Sequence, residues 1–177
     1  NLVEYVGANV GGIFLLNESH NDTGSEEQYL ELIASYAYDR RKFHDKKILL
    51  GEGLVGTAAR EKKTIYRTEI PKDYIKIATG LGESQPRSLV IAPLKKDDKV
   101  QGVIELAARD EFEKYKIDFI EDIAEDIAST LVVAKINRQT AKMLEKTQRQ
   151  SDEMMAQEEE LRQNLEELKA TQEAAAR

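Results

Sequence analysis

The chain has 177 residues, of which 33% are charged and 6% aromatic, and its formal net charge is -7 with a pI near 5.1. This acidic balance argues against a nucleic-acid partner, since such partners are bound mainly by neutralising their phosphates. Cysteine is absent, which excludes disulfides, thiolate metal sites and cysteine nucleophiles and fits a reducing compartment. No apolar run approaches the length of about 18 residues that suggests a membrane span. We therefore expect a cytoplasmic protein with no membrane insertion by this segment.

The first part of the sequence predicts a helix end followed by two antiparallel strands. Residues 1–8 predict the end of a helix whose start is missing, and the apolar run 13–16 predicts a buried strand. The polar cluster 17–27 predicts a long loop. Residues 29–38 alternate with period two and predict a second strand. This alternation puts one set of side chains on a single face: Leu30, Leu32, Ala34, Tyr36 and Tyr38.

The middle of the sequence predicts short elements around an apolar flap. A charged loop is expected over 39–47, a helix over 54–62 and a β-branched strand over 64–68. Residues 71–86 contain glycine and proline breaks together with several apolar residues. We expect this segment to be a looped flap with a short helix that lies on the sheet, because it is too apolar for a free surface loop.

The last third predicts a hairpin and then one long helix. Residues 88–94 and 100–107 predict strong strands, joined by a polar turn at 95–98. From Lys114 onward neither proline nor glycine interrupts the chain, and about 60 helical residues would span roughly 90 Å. The distal half carries apolar residues at near-heptad spacing: Leu144, Met154, Leu161, Leu165, Leu168 and Ala175. Such a stripe needs a partner, and a second copy in a parallel homodimer is the simplest one.

The segment 51–56 formally matches the dinucleotide fingerprint GxGxxG. The helix that follows has only about nine residues, and the unit is shorter than the roughly 30 residues that a βαβ unit needs. The flanking strands also look antiparallel. We therefore favour a structural interpretation, a glycine turn that starts a helix packed tightly on the sheet, over nucleotide binding.

Neither metal binding nor catalysis is indicated. His20 and His44 are isolated from any ligand spacing, and the acidic residues between 118 and 126 form a convex helix ridge rather than a convergent set of oxygens. No nucleophile and base can be paired from the sequence. We expect no catalytic residue, no metal and no cofactor.

A ligand pocket is expected between the flap and the sheet, where a concave apolar cavity with a few polar anchors can form. Glu105 is a carboxylate inside an apolar strand, so it either anchors a ligand or faces water on an open side of the sheet. The candidate ligand-binding residues are Phe14, Tyr36, Tyr66, Thr68, Tyr74, Ile77, Ser84, Ser88, Val90 and Glu105.

Residues 8–135 resemble the GAF family. The similarity rests on the turn at 51–56, the Pro93-Leu94 pair that ends one strand, the sequence GVIEL at 102–106 and the closing amphipathic helix. The resemblance implies an α+β fold: an antiparallel five- or six-stranded sheet between helical layers, followed by a long C-terminal helix that forms a coiled coil. It divides the chain into a sensor domain at 1–135, with a truncated first helix, and a signalling helix at 136–177.

The resemblance also implies a function. The chain is similar to non-catalytic regulatory modules of bacterial sensor histidine kinases and related signal-transduction proteins, which sense a small molecule and relay its presence through a dimeric helix. Ala108-Arg109 stands where cyclic-nucleotide-binding members carry Asn-Lys, and the cysteines used by methionine sulfoxide-reducing members are absent. The alternative is a dimerisation and spacer module with a vestigial pocket.

Overall fold

The computed structural model describes residues 2–20, 26–36, 47–71, 74–75, 77–79 and 82–175. By its internal contacts the chain divides into two compact units, Asn1–Val132 and Val133–Arg177. The predicted charged loop at 39–47 lies outside the described residues except for Lys47. His44 also lies outside them.

A six-stranded antiparallel sheet forms the centre of the first unit, in the order β3-β2-β1-β8-β7-β4. A separate two-stranded sheet pairs β5 with β6. The predicted α+β fold with an antiparallel sheet and a long C-terminal helix is confirmed. The elements are α1 (Leu2–Val6), β1 (Val10–His20), β2 (Glu26–Tyr36), β3 (Ile48–Leu49), α2 (Gly53–Glu61), β4 (Ile65–Arg67), β5 (Ile77–Thr79), β6 (Gly82–Ser84), β7 (Ser88–Lys96), β8 (Lys99–Ala108) and α3 (Lys114–Ala175).

The two sides of the sheet carry separate hydrophobic clusters, because successive side chains of a strand point to opposite faces. We call one side the helix face, since α1 and the first turns of α3 cover it. Its buried residues include Val3, Val6, Val90, Ala92, Leu94, Ile104, Leu106, Phe112, Ile120, Ala124 and Ala128. We call the other the flap face, where α2 and the described part of the flap lie. Its buried residues include Val10, Phe14, Leu30, Val55, Ala58, Ile75, Ile77, Leu89, Ile91, Val103 and Ala107.

A bulge in β2 overturns the prediction that the alternating residues of this strand share one face. Ile13 lies opposite Ala34, whereas the next residue of β1, Phe14, lies opposite Leu32, so Ile33 is the extra residue. An extra residue shifts the alternation by one position. Leu30 and Leu32 therefore pack with the flap face, whereas Ala34 and Tyr36 turn to the helix face; Tyr38 is outside the described residues.

The first hairpin is longer than predicted, because the polar cluster at its tip pairs across the strands. Asn17 Nδ2 donates to Glu31 at 2.8 Å, and Gln28 Nε2 donates to Glu18 at 3.1 Å. The second hairpin is tighter than predicted. Its turn needs only Asp97 and Asp98, whose φ angles of 48° and 63° suit a two-residue turn that follows the strand twist.

The flap differs from its prediction. Its described residues contain a turn in which Tyr74 N–H donates to the Pro71 carbonyl at 3.0 Å, and then the antiparallel pair β5 and β6 instead of a short helix. Three residues against three is enough for a small hairpin, and the buried Ile75 and Ile77 attach it to the flap face.

The glycine turn is structural, as favoured over nucleotide binding. Its strands β3 and β4 pair antiparallel with β2 and β7, so they form no βαβ unit. The Gly51 N–H donates to the Gly56 carbonyl at 2.8 Å and is already committed within the turn. A Cβ at Gly56 would lie 2.3 Å from the Leu49 carbonyl oxygen, so only glycine lets α2 begin this close to β3.

The second unit consists of the remaining length of α3. Its large apolar side chains are exposed, among them Leu144, Met154, Leu161, Leu165 and Leu168. These positions are the ones from which the coiled coil was predicted, and that coiled coil stays a prediction.

Candidate functional site

Glu105 is the central residue of the candidate site, because it is a carboxylate with 1% exposure in the middle of the flap face. It lies on β8 opposite Ile91 of β7 and Gly12 of β1. Its neighbours along the same face of β8 are Val103 and Ala107, both fully buried. A charge among apolar side chains is costly unless hydrogen bonds or opposite charges compensate it. A strand core does not need a carboxylate at this position, so Glu105 is a candidate functional residue.

Tyr74 meets this carboxylate from the flap. Its hydroxyl donates a hydrogen bond of 2.8 Å to Glu105 Oε1. Burial raises the pKa of Tyr74 well above its ordinary value, and the negative charge of Glu105 and their hydrogen bond raise it further. The phenol therefore stays protonated and keeps its role as a donor. The contact fastens the flap to the sheet through one polar bond.

Gly12 and Ser35 lie beside the carboxylate in the same row of the sheet. Ser35 is opposite Gly12, and Gly12 is opposite Glu105, so these three positions share the flap face. Gly12, between the other two, contributes no side chain. With strands about 4.8 Å apart, the backbones of Ser35 and Glu105 are about 10 Å from each other.

Sequence reasoning missed both Gly12 and Ser35. The bulge at Ile33 is what turns Ser35 toward Glu105, and the surrounding sequence gives no clear signal for it. Gly12 did carry a signal, since a glycine inside a strand often marks a bulge, a bend or the close approach of another group.

The structure brings four of the predicted ligand-binding residues together on the flap face. Phe14 and Ile77 are 1% and 3% exposed, and they belong to the same apolar cluster. Tyr74 packs against that cluster, and Glu105 lies among its strands. These four residues therefore all lie on the flap-face side of the sheet.

Four other predicted residues lie on the helix face instead. Val90 belongs to the helix-face core, and Tyr66 is opposite it on β4, where its hydroxyl is 3.5 Å from the Phe112 carbonyl oxygen. Ser88 is two residues before Val90 and therefore shares its face; its hydroxyl donates to the Asp110 carbonyl. Tyr36 reaches this face through the bulge. The grouping of these residues with Glu105 in one pocket is wrong, because strand alternation separates them.

The last two predicted residues lie at the margins. Thr68 is exposed and follows the end of β4. Ser84 ends β6, where its hydroxyl accepts a hydrogen bond of 3.2 Å from Arg109 Nε. The flap hairpin is thus tied at this end to the residue that follows β8.

Two grooves lie elsewhere on the first unit. An apolar groove of about 220 Å³ on the helix face is lined by residues of α1, β1, β2 and β8, Tyr36 among them. A groove of about 510 Å³ is lined by Lys62, Lys63, Lys95, Glu121, Asp122 and Glu125 together with Thr64 and Pro93. In the second groove, charges of both signs face each other, which is typical of a solvated ion-pair surface.

Two searches limit what the described residues hold. They contain no group of three or more histidine, aspartate or glutamate residues placed to hold a metal ion. Within the same residues, no helix combines the length and apolarity needed to cross a membrane.

Comparison with known families gives a match over the first unit. The sequence profile described as a GAF domain matches residues 1–132, about three quarters of the chain. No curated protein matches the chain at a significant level.

Solved structures share the fold at low sequence identity. The GAF domain of a phosphoenolpyruvate-protein phosphotransferase from Coxiella burnetii is similar with a TM-score of 0.59 and 16% identity, over 78% of this chain and 80% of that one. The GAF-B domain of DevS from Mycobacterium smegmatis has a TM-score of 0.56 and 15% identity over 78% and 90%. A type II free methionine-R-sulfoxide reductase from Thermoplasma acidophilum has 0.53 and 18% over 73% and 84%. At such identities the likeness establishes the fold alone.

Proposed function

Because the chain belongs to the GAF family of small-molecule-binding regulatory domains, we propose that it is the sensor segment of a cytoplasmic bacterial signal-transduction protein. The observation that carries the proposal is the buried Glu105 carboxylate, held on the flap face by the Tyr74 hydroxyl. A buried charge that a strand core does not need is typical of functional sites. The same face offers an apolar wall, a polar anchor and a covering flap, which are the parts of a ligand site.

In this proposal the ligand lies between the flap and the sheet. Phe14 and Ile77 supply apolar contacts, whereas Tyr74 and Glu105 supply the polar ones. The segment has no catalytic role. Without cysteine it lacks the thiols that sulfoxide reduction by its family relatives would require, and its isolated histidines offer no nucleophile–base pair.

The output is proposed to pass through α3 to a kinase module, with the parent protein a sensor histidine kinase. Leu161, Leu165 and Leu168 are 62%, 52% and 58% exposed at spacings of four and three residues. This spacing suits the seam of a parallel homodimeric coiled coil, which would bury them. Polar seam residues such as Thr147 and Ser151 weaken one register relative to another, so two packings of similar energy are available for a ligand to bias.

A thermal-shift screen tests the sensor function. The panel contains cyclic nucleotides, purines, amino acids, 2-oxo acids and small amines. A ligand present at about 100 times its dissociation constant stabilises the fold by about 2.7 kcal/mol, so one chemical class should raise Tm by a few degrees. A panel without any reproducible shift would contradict the sensor function.

Cross-linking tests the relay. Because the chain has no native cysteine, Leu161→Cys and Leu165→Cys each introduce a single thiol. We expect disulfide dimers at both positions, in a ratio that changes when the ligand found by the screen is added. Glu160→Cys, one residue outside the seam, is the matched control and should cross-link poorly. An unchanged ratio of the two cross-links would mean that ligand binding is not relayed through α3.

A dimerisation and spacer module is the second candidate. It is favoured by the close packing under the flap, where Phe14, Ile75 and Ile77 are buried and Glu105 already accepts a hydrogen bond from within the chain. This function would leave the thermal-shift panel flat but preserve cross-linking along α3. The two experiments together distinguish the candidates.

A further inference from the structure

We propose that the groove of about 510 Å³ beside β4 binds a small zwitterion, a molecule that carries both a carboxylate and an ammonium group, as an amino acid does. We call it the edge groove. Its lining comes from the turn between α2 and β4, the far end of β7 and the first turns of α3. The four residues assigned to the flap face do not line it, so this site is separate from the proposed sensor site and does not depend on it.

The edge groove exists because β7 extends past its outer neighbour. β4 is the last strand on this side of the sheet, and it begins at Ile65, which is paired with Ile91. β7 continues to Lys96. Among the described strands, none covers the outer side of β7 from Pro93 onward. Proline lacks the N–H that another strand would need, and lysines on an edge also discourage strand pairing. The space is therefore better suited to a small molecule than to an added strand.

One wall of the edge groove is basic. Lys62 of this wall forms an ion pair with Asp98. Lys95 Nζ donates a hydrogen bond of 3.1 Å to the Lys62 carbonyl oxygen, which carries no net charge. Within the part of the chain that the structure describes, neither Lys95 nor Lys63 is paired with a carboxylate. The basic wall thus presents two ammonium groups that no carboxylate neutralises.

The opposite wall, on α3, is acidic. Glu125 Oε1 is 3.1 Å from Lys96 Nζ, an ion pair that ties the end of β7 to the helix. Over the described residues, Glu121 and Asp122 form no ion pair, although they line the same groove as the lysines. The two walls therefore share a groove without neutralising each other, and each keeps two unmatched charges.

This balance of charges favours a zwitterion over a simple ion. A lone carboxylate would contact the basic wall but meet the repulsion of Glu121 and Asp122, and a lone ammonium group would meet the lysines. A zwitterion makes a favourable charge-assisted contact with each wall and adds no net charge. Exposed ion pairs are individually weak and are screened by salt. We therefore expect binding that needs both charges and weakens as the ionic strength rises.

Matched probes test the proposal on the intact chain. The zwitterions are the ω-amino acids with three to six carbons, which vary the separation of the two charges, and the single ions are butylammonium and butanoate. Backbone amide NMR should record saturable shifts at Lys63, Thr64 and Asp122 for at least one ω-amino acid. Half-saturation by either single ion should need at least about five times the concentration. Equal binding of a single ion, or no saturable shift with any zwitterion, would overturn the proposal.

Single neutralising variants show whether both walls take part. Lys63→Gln and Asp122→Asn each remove one exposed charge, so the fold should be kept and the affinity for the zwitterion should fall about two- to fivefold. Lys135→Gln and Glu145→Gln, exposed positions of α3 in the second unit, are the matched controls and should leave the affinity unchanged. A loss in only one of the two groove variants would mean that a single charge is recognised, which contradicts a zwitterion site.

The location of the shifts separates this site from the sensor site. Saturable shifts of the zwitterion at the amides of Tyr74 and Ile77, without shifts at Lys63 and Asp122, would support the sensor function and overturn the edge-groove proposal. If the lysines serve only to protect the sheet edge, Lys63→Gln should promote self-association while no probe saturates the groove, and the proposal is again wrong. Shifts confined to the edge groove support it whether or not the metabolite screen finds a ligand under the flap.

Discussion

The helix face and the flap face belong to the same strands but differ in the polarity of their buried side chains. On β8, Ile104 and Leu106 point into a largely apolar core under α1 and the first turns of α3. Between them Glu105 points the other way, equally buried but charged and bonded to a tyrosine of the flap. The polar residue buried on the helix face, Ser88, is a small neutral group bonded to a backbone carbonyl.

The two faces differ in how much their buried side chains contribute to stability. Apolar burial on the helix face contributes stability in proportion to the area removed from water. A buried carboxylate contributes little net stability, and apolar residues of similar volume often do as well or better. A carboxylate at Glu105 is therefore not what stability alone would favour, and such positions are expected at functional sites.

The largest expected effect is a loss of stability from the helix face. Leu106→Ala removes a side chain that is 1% exposed and leaves a cavity, so the free energy of unfolding should fall by about 2–5 kcal/mol. Chemical denaturation measures the change. Leu49→Ala, at a position that is 41% exposed, is the control and should cost much less. Equal losses at the two positions would show that the helix face is loosely packed.

The next effect sharpens the comparison on the flap face. Tyr74→Phe leaves the buried Glu105 carboxylate with one hydrogen bond fewer, and bonds to charged groups contribute about 1.5–3 kcal/mol. The free energy of unfolding should fall by about this amount. Tyr66→Phe loses a longer, neutral hydrogen bond on the helix face and should cost less than about 1 kcal/mol. If the two variants cost the same, the Tyr74 bond has no special weight.

A smaller effect appears at alkaline pH. Because the pKa of Tyr74 is raised in the folded protein, the native state keeps a proton that the unfolded chain loses above about pH 10. Stability should therefore fall as the pH rises past this value, with Tyr74 contributing up to about 1.4 kcal/mol per pH unit. Denaturation curves at several alkaline pH values should be flatter for Tyr74→Phe. An identical slope in the variant would show that another group governs the alkaline loss.

The smallest expected effect is the most direct test of the comparison. Replacing both partners, Glu105→Leu together with Tyr74→Phe, makes the flap face apolar like the helix face. The free energy of unfolding should stay within about 1 kcal/mol of the original protein or rise, since this hydrogen bond loses its donor and its acceptor together. Stabilisation by any ligand found in the screen should disappear. A large loss of stability would mean that the pair is needed for folding.

Much of the fold could be predicted from the sequence. The apolar runs at 88–94 and 100–107 placed β7 and β8, and the absence of glycine and proline after Lys114 placed α3. The glycines at 51–56 were correctly assigned to a tight turn. The errors lie where neighbouring strands decide the geometry: the polar end of the first hairpin, the described flap strands and the bulge in β2.

The candidate site was predicted only in part. Glu105 is conspicuous in the sequence because it interrupts an apolar strand, and Phe14, Tyr74 and Ile77 were grouped with it. Tyr66 and Val90 were also grouped with Glu105. The structure pairs these two residues across neighbouring strands and places both on the helix face, away from Glu105. Ser35 was missed. Alternation within one strand tells which residues share a face, but it does not tell which covering layer that face meets.

The sequence by itself determined the positions of most strands, the glycine turn at 51–56 and the long unbroken helix. It also showed that one carboxylate, Glu105, lies in an apolar strand. These follow from interactions between residues close in the chain. The tertiary structure alone decided that Ser35, Gly12 and Glu105 lie in one row and that Tyr74 covers its end. Cross-strand register and a single inserted residue in β2 set this row, and both depend on pairing between segments that are far apart in the sequence.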